Sequence, residues 1–110
     1  MNESHDYVSK KNTELIEYLT NKFKSEFSDF RKLYLFGSRV KGNFDPESDY
    51  DIVVIFDKNN REKRLRIYGI VGEAQYIFDV IIDVNILTEE EFRYNPFFYE
   101  EVTKYGLVYE

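Results

Sequence analysis

The stretch GSRVKGNFDPESDYD occupies residues 37–51 and stands between two segments with the character of β-strands. The segment before it, KLYLF at 32–36, predicts a short strand that ends abruptly at Gly37-Ser38. The segment DYDIVVIF at 49–56 is apolar beyond its two aspartates, which is typical of a strand covered on both faces. The middle of the chain therefore predicts a strand, a turn, a loop and a second strand.

The segments around this unit predict helices. Residues 5–28 predict an amphipathic helix, because apolar residues recur there at helical spacing, namely Val8, Leu15, Ile16, Leu19, Phe23 and Phe27. A short helical turn is expected at 39–41, ending at Gly42, and a turn-rich loop at 43–48. Residues 60–75 predict another helix, with an inner stripe that includes Leu65, Tyr68, Ile70 and Val71.

The last third of the chain carries one strand signal and two helix-start signals. Residues 77–87, IFDVIIDVNIL, predict a strand. Thr88 and Glu91 have the spacing of a capping box, which predicts that a short helix begins there. Asn95-Pro96 predicts the start of a final helix ending near Gly106, and LVYE after it an edge strand.

Length and composition indicate one small soluble domain. With 110 residues and 43% hydrophobic residues, we expect a single α/β (α+β) domain over 1–110, a small mixed β-sheet with helices packed on it. The net charge of −6 argues against direct nucleic-acid binding. The absence of cysteine excludes disulfides and thiol chemistry. Without an apolar leader or a membrane-length segment, a cytoplasmic location with no membrane contact is expected.

Asp49 and Asp51 stand two positions apart at the head of a predicted strand. Side chains alternate along a strand, so both carboxylates point to one face and Tyr50 points to the other. Neighbouring carboxylates repel each other unless a cation lies between them, and magnesium prefers such oxygen ligands. Alone, a D-x-D pair is more often a solvated strand entrance, and glycosyltransferases also use it for metal binding.

Gly37-Ser38 stands where a strand turns into a helical segment. Free backbone N–H groups there attract anions, and glycine allows a phosphate to approach closely. Alone, this dipeptide is more often an ordinary turn with a serine cap. Its value lies in the combination with the D-x-D pair ten residues later. Arg39 and Lys41, within one turn of Ser38, are the candidate partners of a triphosphate.

A third carboxylate would complete a metal site, and the candidates are Asp83 and Asp79. They are four residues apart in the predicted 77–87 strand and so share a face. Asp83 is flanked by apolar residues, where an unpaired charge is costly, so we favour Asp83.

The basic run KNNREKRLR at 58–66 follows the far end of the 49–56 strand. At ~3.3 Å per residue it lies about 26 Å from the aspartates, which favours a solvated helix face over a phosphate clamp. His5, in a polar segment, is expected to be a surface residue.

The pattern of Gly37-Ser38, ten residues, then Asp49 and Asp51 resembles the polymerase-beta-type nucleotidyltransferase superfamily, with Gly42 and Ser48 also at matching positions. Within that superfamily it resembles the minimal group, which lacks extra substrate-binding domains. The resemblance covers about residues 12 to 109 and implies a palm-like core.

The resemblance also implies roles for individual residues. Asp49 and Asp51 would bind two Mg²⁺ ions, with Mn²⁺ as a substitute, and Asp83 would bind the catalytic ion and help to activate the acceptor hydroxyl. Gly37 and Ser38 would hold the β- and γ-phosphates. Minimal-group members often carry arginine at the position of Lys41, so the bidentate contact of arginine is given up here.

The implied activity is magnesium-dependent transfer of a nucleoside monophosphate, AMP from ATP, to a hydroxyl on a protein or a small molecule. A partner is expected to supply the second lobe, and the resemblance implies the antitoxin of a HEPN-domain toxin. Homo-oligomerisation stays open. The alternative is a non-catalytic module that neutralises a partner by contact, and a D-x-D glycosyltransferase is disfavoured because those enzymes usually need a larger fold.

Overall fold

The computed structural model describes the backbone of residues 3–41 and 49–110 and the side chains of residues 10–40 and 49–110. The elements in chain order are α1 (Glu3–Glu26), β1 (Phe30–Phe36), α2 (Ser38–Lys41), β2 (Tyr50–Phe56), α3 (Arg61–Phe78), β3 (Ile82–Thr88), α4 (Glu89–Arg93), α5 (Pro96–Tyr105) and β4 (Leu107–Tyr109). No helix in these ranges is long and apolar enough to cross a membrane.

The strands form one four-stranded sheet in the order β3-β2-β1-β4. Strand β1 runs antiparallel to both β2 and β4, whereas β2 and β3 are parallel. A parallel pair needs a crossover connection, and helix α3 supplies it. The predicted mixed α/β sheet is confirmed, including the last edge strand.

Helices cover both faces of the sheet, so β2 is buried on both sides. Helices α1 and α3 pack on one face, over a core that includes Leu15, Ile16, Leu19, Phe23, Ile52, Val54, Ile67, Val71 and Ala74. Helices α4 and α5 pack on the other face, over Tyr34, Val53, Ile55, Phe92 and Val102. Burial of alternate β2 residues against opposite helix layers fixes which face each β2 side chain occupies.

The predicted helix starts are confirmed in detail. The Thr88 side chain accepts from the backbone N–H of Glu91, and the Glu91 carboxylate accepts from the backbone N–H of Thr88. The Asn95 side chain caps α5, with Pro96 at its first position, and α5 ends at Gly106. Each cap satisfies N–H groups that a helix end otherwise leaves unpaired.

The prediction of a strand beginning at residue 77 is wrong. Helix α3 continues to Phe78, because Val71, Ala74 and Phe78 extend its buried stripe. Asp79 then takes a left-handed conformation with φ of 54° and donates its backbone N–H to the Gln75 carbonyl. This cap ends the helix, and β3 begins only at Ile82.

The predicted inner stripe of α3 is only partly correct. Val71 is buried and Ile70 packs against the core, but Leu65 and Tyr68 are 59% and 52% exposed. The inner face is instead centred on Ile67, whose side chain is fully buried. Two helical stripes compete in this sequence, and only packing against α1 and the sheet decides between them.

The basic run after β2 is used within the fold, at the end of the strand away from Asp51. Lys63 bonds to the Asp29 carboxylate and to the Lys58 carbonyl, and Arg66 pairs with Glu26. These contacts favour a structural role for the run. Predictions for Gly42, for the 43–48 loop and Ser48, and for the side chains of His5, Val8 and Lys41 lie outside the described residues.

Candidate active site

Asp51 and Asp83 occupy paired positions on the parallel strands β2 and β3. Asp51 alternates with Val53 and Ile55, which face α4 and α5, so its carboxylate belongs to that face. Asp83 shares the face, because Leu87 on the same side of β3 packs into the same cluster. The sheet therefore brings the two carboxylates side by side at its end.

A third carboxylate, that of Asp49, interacts electrostatically with this pair. Burial raises the pKa of Asp51, and the negative charges of Asp83 and then Asp49 raise that pKa further. The shift means that the ionised form of Asp51 is disfavoured in the metal-free protein. Asp49, Asp51 and Asp83 thus share one negatively charged end of the sheet.

Asp83 is not buried, contrary to the argument from its apolar neighbours. Nor do Asp79 and Asp83 share a strand face, because Asp79 caps helix α3 and precedes β3. What separates the two residues is register. Asp83 is paired with Asp51, whereas Asp79 lies outside the β2–β3 ladder.

Gly37 closes the site from the side of β1. It has a φ of 79°, and a Cβ built on it would lie 2.5 Å from the Oδ2 atom of Asp51. The neighbouring residue, Phe36, is the β1 partner of Asp51. A side chain at position 37 would therefore meet the carboxylate as well as backbone strain. The sequence had suggested glycine for phosphate approach, and the structure adds contact with Asp51 as a second reason.

Of the two predicted cationic partners, Arg39 is the one whose side chain the structure describes. Arg39 in α2 is 8% exposed, and its guanidinium lies 4.1 Å from the centre of the Tyr50 ring. Tyr50 belongs to the core on the α1 and α3 face, opposite to Asp51. Arg39 is therefore not brought to the carboxylates. Ser38, the first residue of α2, is partly exposed beside Gly37.

Tyr50 is itself held from a third element. Its hydroxyl donates a hydrogen bond to the Asn12 Oδ1 atom on α1. Burial raises the pKa of this hydroxyl, while the Arg39 charge acts in the opposite direction. The alternation around Asp49 and Asp51 predicted the direction of Tyr50 correctly. Asn12 was missed, because no local pattern links it to a residue so far along the chain.

Aromatic residues support the site on the α5 side. The Phe36 ring makes an edge contact with Phe98, with centroids 5.4 Å apart, and Phe98 contacts Phe92. Since Phe36 pairs with Asp51, this aromatic layer extends up to the carboxylates. No sequence motif predicted this aromatic layer, and its one local signal is the position of Phe98 in helix α5.

The donor chemistry fits a hard divalent cation. The three groups are carboxylates, with no nitrogen or sulfur ligand among them, which is the preference of Mg²⁺. Among the described residues, no three acidic, histidine or cysteine side chains are already gathered to hold an ion.

Comparison with protein families identifies the chain. The family model described as the nucleotidyltransferase domain matches residues 14–109. The chain belongs to this nucleotidyltransferase family. No curated protein sequence matches it.

Solved structures share the fold of this nucleotidyltransferase domain. A candidate nucleotidyltransferase from Sulfolobus solfataricus has a TM-score of 0.65 and 21% identity, over 98% of this chain and 87% of that one. A toxin–antitoxin structure with AMP-PNP has a TM-score of 0.64 and 17% identity, over 84% and 69% of the two chains. The toxin–antitoxin MntA-HepT has a TM-score of 0.59 and 14% identity, over 87% and 69%.

Proposed function

We propose that this domain is a magnesium-dependent adenylyltransferase that transfers AMP from ATP to a hydroxyl and releases pyrophosphate. The observation that carries the proposal is the pairing of Asp51 with Asp83 in one register, with Gly37 packed against the Asp51 carboxylate. The paired carboxylates of Asp51 and Asp83 thus lie next to the Gly37-Ser38 turn. A donor triphosphate and its cations need both features at the same place.

In this proposal, each residue of the cluster has one task. Asp49 and Asp51 hold the divalent ions, for which Mn²⁺ could substitute. Gly37 and Ser38 bind the β- and γ-phosphates through backbone N–H groups and the serine hydroxyl, and Lys41 supplies a positive charge. Asp83 would complete the set of carboxylates that hold the ions, and it also orients the acceptor hydroxyl and accepts its proton. Bound Mg²⁺ would neutralise charge on the triphosphate.

The proposed reaction is an in-line displacement at the α-phosphorus. A bond forms between the acceptor oxygen and the α-phosphorus, and the bond from that phosphorus to the bridging oxygen of the β-phosphate breaks. Pyrophosphate leaves with the electron pair of the broken bond. Because Asp83 is exposed while Asp51 is partly buried, the acceptor can approach Asp83 from solvent.

We further propose that the acceptor belongs to a HEPN-domain toxin in the cytoplasm and that this chain is its antitoxin. The fold likeness to the toxin–antitoxin structures, one of them with AMP-PNP, supports this pairing. The sequence pattern of the minimal group supports it independently.

The alternative is a module that neutralises its partner by contact alone. The arrangement of the carboxylates argues against it, since placing Asp51 and Asp83 opposite each other on β2 and β3 brings a charge repulsion that a purely binding surface does not require. The two functions also differ in whether they require ATP to bind. Only the enzyme needs metal-dependent nucleotide binding at these aspartates.

Calorimetry of ATP binding with and without Mg²⁺ tests the proposal. We expect ATP to bind at least about tenfold more tightly with Mg²⁺, because phosphate oxygens complete the coordination shell. The Asp51→Asn variant should lose this dependence, and Asp57→Asn, at the other end of β2 and paired with Arg31, should keep it. If ATP binding in the wild type did not depend on metal, the nucleotidyl-transfer site would be excluded.

A further inference from the structure

Three elements meet at Tyr50. Its side chain is fully buried, the Arg39 guanidinium of α2 lies on its ring, and the Asn12 Oδ1 atom of α1 accepts a hydrogen bond from its hydroxyl. We call these three residues the Tyr50 stack. A cation–π interaction is stronger when the cation is buried than when it is exposed, because no water competes for the buried cation.

The Tyr50 stack lies directly behind the candidate site. Tyr50 is the residue between Asp49 and Asp51, and its backbone N–H donates to the Ile81 carbonyl at 2.9 Å, at the entrance to β3. Arg39 is two residues from Gly37, and a Cβ at Gly37 would lie 2.5 Å from the Oδ2 atom of Asp51, whose side chain is on the face of β2 opposite to Tyr50. The stack therefore joins α2 to β2 at the point where the site requires them to be aligned.

We propose that Arg39 is a positioning residue, which holds the Gly37-Ser38 turn against β2 by packing on Tyr50, instead of a direct ligand of the triphosphate. Asn12 completes the Tyr50 stack, because its hydrogen bond holds the Tyr50 ring in place. The inference rests on the proposed function in so far as nucleotide affinity is one of its readouts.

Placement argues against direct phosphate binding by Arg39. Its side chain is nine-tenths buried and faces a ring on the α1 side of the sheet, whereas Asp51 and Asp83 lie on the α5 side. Reaching phosphates held at those carboxylates would require Arg39 to leave the ring and expose a buried tyrosine. The two roles also need different properties at position 39. Packing needs a long side chain that covers the Tyr50 ring, whereas phosphate binding needs a positive charge.

Three substitutions at position 39 separate the two roles, with the dissociation constant for ATP and Mg²⁺ measured by calorimetry. Arg39→Met is neutral but can still cover the ring through its flexible thioether, so we expect a loss of less than about threefold. Arg39→Ala uncovers the ring and should lose about tenfold. Arg39→Lys keeps the charge but loses the planar stack, and should fall between the two.

The opposite ranking would overturn the positioning role. If Arg39→Lys bound like the wild type while Arg39→Met was as weak as Arg39→Ala, the charge would be acting on the nucleotide, and the proposed function would stand without this inference. Arg66→Met is the matched control, because Arg66 stacks on Phe27 with 4.6 Å to its ring centre, away from the site. We expect it to bind as the wild type does.

A readout without nucleotide separates failure of this inference from failure of the proposed function. Amide hydrogen exchange at Gly37, Ser38 and Asp51 should accelerate about tenfold in Arg39→Ala and stay near wild type in Arg39→Met, because exchange follows local opening. Tyr50→Phe, which keeps the ring and loses the bond to Asn12, should accelerate exchange less than Arg39→Ala. Unchanged exchange in Arg39→Ala, with the fold verified by circular dichroism, would overturn the inference whether or not the wild type binds ATP.

Discussion

Gly37 lies against Asp51 so closely that a Cβ on the glycine would approach the aspartate Oδ2 atom to 2.5 Å. The contact joins the turn residue that follows β1 to the first charged residue of β2. It also means that the backbone of the predicted phosphate-binding turn and a predicted metal ligand have no spare space between them. Changes at position 37 should therefore act on the carboxylate before any nucleotide binds.

We expect Gly37→Ala to lower the free energy of unfolding by about 1–3 kcal/mol, through strain at positive φ and displacement of Asp51. Metal-dependent ATP binding should also be lost. Urea unfolding and calorimetry measure the two effects. Gly69→Ala is the control, since a Cβ at Gly69 meets nothing within 4 Å. Wild-type stability and binding in Gly37→Ala would show that the close contact is unimportant.

Asp83→Asn should reduce pyrophosphate release at least about a hundredfold, whereas Asp79→Asn should change it little. Asp83 is paired with Asp51, but Asp79 caps α3 in a left-handed conformation that asparagine adopts readily. The same chemical change thus serves as test and control. The assay needs the cognate acceptor. The reverse ranking would exclude Asp83 and leave Gly37-Ser38 and the Asp49/Asp51 pair in place.

Asp51→Asn should keep the fold and leave the metal-free protein equally stable or more stable at neutral pH. Burial, with the charges of Asp83 and Asp49, raises the pKa of Asp51, so its ionised form is disfavoured before a cation binds. Removing the charge relieves that cost. Thermal unfolding with EDTA measures the change. A loss of folding would instead give Asp51 a structural role.

Alanine should have opposite effects on stability at a glycine inside α3 and at the glycine that follows α5. Gly72→Ala lies in the open face of α3 and should raise the free energy of unfolding by about 0.5–1 kcal/mol, because alanine restricts the unfolded chain. At Gly106, a Cβ would collide with the Val102 carbonyl and lie 3.0 Å from the Leu35 carbonyl oxygen. Gly106→Ala should therefore destabilise the fold by about 1–3 kcal/mol. Urea unfolding of the two variants decides.

The Asp29–Lys63 pair should contribute stability only above acid pH. Burial alone would raise the pKa of Asp29, but hydrogen bonds from Lys63 and from the Lys58 backbone N–H outweigh it and lower that pKa. A lowered pKa gives stability that is present above the unfolded value of about 3.9 and is lost as pH falls through the folded value.

Asp29→Asn should accordingly cost about 1–3 kcal/mol at neutral pH and less at an acid pH below the folded pKa of Asp29. Unfolding by urea across this pH range measures the difference. Asp57→Asn is the control, because its pair with Arg31 is exposed on both sides and should contribute little. An equal loss at both pH values would mean that packing, not charge, is responsible.

Local chemistry explains which parts of the fold were predictable. The caps at Thr88 and Asn95 depend on residues within one turn, so their spacing is visible in the sequence. The end of α3 was not predictable in this way, because the run after Gln75 suits either a helix or a strand, and packing of Phe78 with a left-handed Asp79 decides it.

In the candidate site too, features set by neighbouring residues were predictable, whereas features set by contacts between separate elements were not. Alternation predicted that Asp51 and Tyr50 face opposite sides, and the structure confirms it. The burial of Asp83 was inferred from its neighbours and is wrong, because an edge strand leaves that position open. Its pairing with Asp51, and the position of Arg39 on Tyr50, depend on contacts between separate elements, which spacing along one segment cannot encode.

The parallel register of β2 and β3 determines both the alignment of Asp51 with Asp83 and the packing of the core. If β3 slipped by one residue along β2, Val84 or Ile82 would stand opposite Asp51, and Asp83 would be displaced from it. The same slip would move Ile82 and Ile86 out of the core that α1 and α3 cover. Misaligned copies of the site would therefore also be poorly folded copies. Any process that removes poorly packed chains would also remove chains in which Asp51 and Asp83 are misaligned.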